Sequence, residues 1–160
     1  MLVDLDAARA HLRVDSDAED ELIGLYLGAA EESAQQFLNA RIYPDQASLA
    51  AARAAAIAAL GAAQGAWLDA INAARAAPTV AERDVLLDAG EAEYLRAIAD
   101  CAMTMHGLVL TDDIRAAILL TLGHLYANRE DVIAGPGSGA TELPQGARAL
   151  LAPRRAQLGV

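Results

Sequence analysis

Apolar positions recur at helical spacing along most of the chain. Leu5, Ala8 and Leu12 share one face of a short helix that Asp4 can cap and that runs to about Arg13. Ser16 with Glu19 has the form of a capping box, and the acids among Asp15 to Glu21 suit the positive end of a helix dipole. Leu22, Tyr26, Ala30, Ser33 and Phe37 then follow at helical spacing, until Tyr43-Pro44 ends the element. An alanine-dense helix is predicted over 47–76, with Ile57, Leu60, Trp67 and Ile71 in heptad-like spacing and Gln64 in the missing place. Thr79 with Glu82 forms another capping box, and Leu87, Tyr94, Ile98, Cys101 and Met105 repeat the pattern. Only a few residues around Pro78 join the two, so they should pack antiparallel as a helical hairpin. Ile114, Ile118, Leu122 and Leu125 mark the most apolar helix, expected at the centre of the fold and running from Thr111-Asp112-Asp113 to about Ile133. Beyond the loop Gly135 to Gly139, Pro144 can start a last short helix in which Ala147, Leu150 and Leu151 share a face beside Arg148, Arg154 and Arg155.

These elements give an all-α fold: a small helical bundle with a long inserted antiparallel hairpin and a C-terminal docking tail. The expected organisation is N-terminal helices over 1–44, the hairpin over 45–108, the central helix over 109–134, and a flexible loop with its docking segment over 135–160. Composition agrees, because Ala, Leu, Glu and Arg dominate and strand formers are few. It also changes the picture of the core. Hydrophobic residues make up 55% of the 160, yet forty of those are alanine, so the surface that can be buried is thin for the length.

Charge is uneven. The net charge is −10, there is no lysine, and residues 144–160 carry three arginines and no acid. An acidic body repels phosphate backbones, which argues against nucleic-acid binding through a basic face. The acidic opening lacks the basic region of a signal peptide, and no apolar run approaches the roughly 18 residues of a membrane span. A soluble protein made in the cytoplasm, with no membrane partner, is the expectation.

Candidate chemistry is sparse. Asp15, Asp17 and Glu19 match alternate positions of a calcium loop, but Asp20 stands where its glycine must turn and Tyr26 replaces its bidentate glutamate. His11, His106 and His124 have no partner at ligand spacing, and a zinc site needs three or four ligands converging on one point. The glycine-rich loop over 135–139 follows a helix and lacks the lysine of a P-loop. Cys101 is a lone thiol beside Ala102 and Met103, and reads as core. No nucleophile motif occurs, so no catalytic residue, metal or cofactor is expected.

Five segments in order carry a resemblance: LDAARAHLRVD over 5–15, DAEDELI over 17–23, DDIRAAILL over 112–120, HLYANRE over 124–130 and LPQGARALLAPRR over 143–155. Together they resemble the head-tail connector, or adaptor, proteins of tailed bacteriophages, over about 1–44 and 109–155. The resemblance implies a structural subunit of the virion neck, made in the host cytoplasm, that assembles in about twelve copies as a ring beneath the portal protein. Such a ring extends the DNA channel, lets DNA pass without specific binding, and offers a platform to the next neck or tail-completion protein. By the same resemblance, His124, Tyr126, Arg129 and Glu130 mark the end of the family's motif helix. Pro144, Ala147, Arg148, Leu150, Leu151, Arg154 and Arg155 lie in the segment that reaches toward the portal. The hairpin over 45–108 is much longer than the link expected there, and Arg154 stands where an aromatic is common. The alternative from another class is a cytosolic helical regulator or enzyme subunit acting through protein contacts.

Overall fold

The computed structural model describes residues 1–128 and 143–156. Among them run α1 (Leu5–Leu12), a 3-10 turn (Asp17–Glu19), α2 (Asp20–Leu38), β1 (Ile42–Tyr43), α3 (Gln46–Ala76), α4 (Val80–Met105), β2 (Leu108–Val109), α5 (Asp112–Ala127), α6 (Gln145–Leu151) and a closing 3-10 turn (Ala152–Arg154). The all-α fold class is correct, with one addition. β1 and β2 form a two-stranded parallel ladder, Ile42 beside Leu108 and Tyr43 beside Val109. Two-residue strands leave no period to read in a sequence.

The chain divides into two units, 1–44 with 108–160, and 45–107. The first is built on α2 and α5. Along α2, Ile23, Leu27, Ala30, Ala34 and Leu38 recur every three or four residues and are buried, as are Ile114, Ala117, Ile118 and Leu122 on α5. Val3, Ala8 and Ile42 complete this side of the core. Among the described residues, two polar side chains are buried with it, and both are satisfied. Thr121 donates its hydroxyl to the Ala117 carbonyl at 2.9 Å. Glu31 Oε1 accepts the backbone N–H groups of Leu2 and Val3 at 2.6 and 3.0 Å, which fixes the start of the chain against α2.

Helix ends follow local chemistry, with one correction. Ser16 and Glu19 do not close a capping box: Ser16 Oγ accepts from the Ala18 N–H and caps the 3-10 turn, and α2 begins only at Asp20. Glu19 instead accepts a hydrogen bond from the Tyr126 hydroxyl at 2.6 Å, an attachment across 107 residues that no local pattern encodes. At its other end α2 stops on Asn39 in the left-handed conformation, φ 51°, which asparagine tolerates better than most side chains. Helix α5 is closed at Ala127, where Asn128 donates its side-chain amide to the His124 carbonyl at 2.8 Å; the expected stretch on to Ile133 lies outside the described residues.

The second unit is the hairpin α3–α4. Asp45 caps α3 through the Ser48 N–H at 2.7 Å, and Thr79 caps α4 through the Glu82 N–H at 3.2 Å. The two helices approach so closely at Gly90 that a Cβ there would stand 2.8 Å from both Ala70 Cβ and Trp67 Cε3. The packed stripe runs through Ala56, Leu60, Ala63, Trp67 and Ala70 on α3, and Gly90, Tyr94, Ala97 and Cys101 on α4. Cys101 is therefore half-buried, while Ile57, Ile98 and Met105 of the expected heptad lie exposed beside the seam. Only Leu49 and Ala74 are fully buried in α3, and no residue is in α4. One expectation about membranes is corrected: α3 is long and apolar enough to cross one by length and composition. Its hydropathy comes from alanines interrupted by polar residues, so no uninterrupted apolar run of that length marks it in the sequence.

Candidate docking face

The docking segment expected at the end of the flexible loop is packed on the subunit itself, while the loop over 135–139 lies outside the described residues. Pro144 leads into α6, where Ala147 and Leu151 are fully buried in the core of the first unit and Leu150 packs against that core. Leu150 and Leu151 are thus anchors to the subunit itself, and an apolar face spent there cannot be presented to another protein without unfolding the segment. Backbone hydrogen bonds add to the attachment: the Ala156 N–H donates to the Leu38 carbonyl at 3.0 Å, and the Asn39 side-chain amide donates to the Ala156 carbonyl at 3.4 Å.

With its apolar side turned inward, the segment presents its arginines outward, each held differently. Arg154 is ion-paired with Asp113 at the start of α5. The same carboxylate accepts from the Thr111 hydroxyl, and these two bonds, Thr111 first, hold the Asp113 carboxyl below the usual carboxylate range. Arg148 and Arg155 both lie over the ring of Phe37, with guanidinium carbons 6.0 and 5.1 Å from its centroid. Among the described residues neither pairs with a carboxylate. The result is an aromatic platform that carries two exposed positive charges at fixed places.

That platform suits carboxylates. A guanidinium whose face is occupied by a ring keeps its N–H edge available for bidentate hydrogen bonds, and immobilising it beforehand reduces the entropy lost when an acidic side chain docks. Phe37 is the only phenylalanine of the chain, and its role was not legible, because nothing in the spacing of 37, 148 and 155 connects them.

The expected family-motif helix end is divided. His124 is exposed, with its ring 3.3 Å from the Asn128 amide, and Tyr126 makes the bond to Glu19 described above, which is an internal strut rather than a contact surface. Arg129 and Glu130 lie outside the described residues. Among the described residues no cluster of His, Cys, Asp and Glu could hold a metal. His11 packs edge-on to α5, with Nε2 placed 3.3 Å from where a Cβ of Gly123 would be.

Residues 2–64 match the family model of the Phage gp6-like head-tail connector protein. The match spans α1, α2, β1 and the first part of α3; it supports the resemblance to phage head-tail connectors over the first two of the five segments, 5–15 and 17–23. No curated protein and no solved structure matches the chain.

Proposed function

We propose that this chain, carrying a head-tail connector sequence over residues 2–64, is a structural protein of a tailed phage that stands at the head-tail junction. Its role is assembly through contacts with other head and tail proteins, without catalysis. In the finer reading, about twelve copies form a ring beneath the portal protein, extend the DNA channel and give the next neck or tail-completion protein its seat. The family match is the observation that carries this reading. Two physical features support it. The net charge of −10 suits a channel wall along which DNA slides without adhering, and a thin alanine-rich core gains stability from neighbours in a ring.

Within this reading the docking surface is the outward side of the C-terminal segment: Arg148 and Arg155 on Phe37, flanked by Pro144 and by Arg154 on Asp113. Ala147, Leu150 and Leu151 hold that surface in place from below. The test is to introduce Arg148→Glu with Arg155→Glu in the phage and measure the protein retained in purified particles. Both sites are exposed, so the subunit should fold, while incorporation falls several-fold and becomes more sensitive to salt. Normal yields of infectious particles carrying the doubly reversed protein would overturn the docking assignment. Absence of the unaltered protein from purified particles would overturn the connector reading itself.

A further inference from the structure

The hairpin is a two-helix layer, and one of its sides combines large exposed apolar side chains with charges: Arg53 and Arg75 on α3, Asp84 and Glu91 on α4. Relative to the packed stripe, Ile57 and Leu68 on α3 are rotated to the same side as Val80, Leu95, Ile98 and Met105 on α4, at 100° per residue. The two helices run antiparallel, so positions on the same rotational side of each stripe emerge on one side of the layer. These six are exposed despite their size: Ile57 59%, Leu68 53%, Val80 63% and Leu95 55%, with Ile98 and Met105 at 39% and 42%. Of the charges of α4, Asp84 and Glu91 share this side, whereas Glu82, Glu93, Arg96 and Asp100 lie on the opposite one.

We infer that this side is an interface between copies of the chain, with α3 of one hairpin laid on α4 of another. Size is the first argument. The six residues expose on the order of 600 Å² between them, spread along the length of the hairpin, against the roughly 800 Å² that each partner gives to a stable interface. Charge is the second, and it selects the occupant. Helix α3 carries Arg53 and Arg75 against Asp69, whereas α4 carries Glu82, Asp84, Asp88, Glu91, Glu93 and Asp100 against Arg83 and Arg96. Laying α4 on α4′ would oppose acid with acid. Laying α3 on α4′ sets an acid-rich helix against an acid-poor one whose alanines allow close approach. A second hairpin supplies both helices at matched length, and the pair becomes a four-helix layer with its apolar side enclosed. This inference goes beyond the connector reading, because it concerns residues mostly outside the family match.

The mass of the purified full chain tests it, measured by light scattering and sedimentation over a wide range of concentration. The expected result is a concentration-dependent rise to a multiple of 16.6 kDa, lost in Leu68→Glu with Leu95→Glu and kept in Val85→Glu, which lies on the far side of α4. Circular dichroism must show unchanged helicity; should the glutamates reduce it, Leu68→Ser with Leu95→Ser gives the same readout. A single-chain mass for the unaltered protein at every concentration would overturn the inference, as would an unchanged mass in the Leu68/Leu95 variant or an equal loss in Val85→Glu. Flotation of the unaltered chain with phosphatidylcholine vesicles, without self-association, would assign the face to a bilayer instead. Incorporation into phage particles is scored separately, so a monomer that still enters particles sinks this inference and leaves the connector reading standing.

Discussion

Leu151 shows how much a single side chain can decide. It is fully buried, and it joins Ala147 in tying α6 to the core. Leu151→Ala should cost about 2–4 kcal/mol, read as a lower urea midpoint, with loss of the C-terminal segment preceding loss of α2 and α5 in hydrogen exchange. Asp113 is a smaller and pH-dependent case. Its folded pKa lies below its unfolded one, so its contribution is fully present above the unfolded value and disappears as pH falls through the folded value. Asp113→Asn should therefore lower stability at neutral pH and match the unaltered protein under acid. The difference should stay below about 1 kcal/mol, since the Arg154 and Asp113 side chains are 41% and 31% exposed. The apolar triplet of α6 was legible as a face, because its spacing is local. Where that face points was not, since Phe37, Asp113 and Leu38 meet it only through tertiary structure.

At the scale of elements, the hairpin depends on close approach rather than on burial of large side chains. Gly90 is the point of closest approach, and Gly90→Leu would drive a side chain into Trp67 and Ala70. A loss of about 1–3 kcal/mol is expected, seen as a lower melting temperature for the helical signal of α3 and α4, whereas Gly65→Ala, where a Cβ meets nothing within 4 Å, should be neutral or stabilising. Helix starts at Asp45 and Thr79 and the turn around Pro78 could be read from the sequence because caps act within three residues. The seam itself could not be read in full. A heptad of large residues suggested Ile57, Ile98 and Met105 as inward, but alanine and glycine at the neighbouring positions bring the axes together and leave those three at the edge.

For the whole molecule, the ladder between β1 and β2 sets both ends of the hairpin beside each other in the first unit. Replacing 46–107 by a Gly/Ser link of about six residues is enough to span that separation, and the product should unfold as one cooperative transition by circular dichroism. Non-cooperative melting would show that α3 and α4 are needed for the core of α2 and α5. The chain also contains its own means of following the two units apart. Its single indole, Trp67, is packed at Gly90 inside the hairpin, whereas Tyr26, Tyr43 and Tyr126 stand in the other unit and only Tyr94 shares the hairpin. Emission excited selectively at the indole therefore registers the hairpin alone, and a titration followed in that channel and by far-ultraviolet dichroism separates the two transitions without any label.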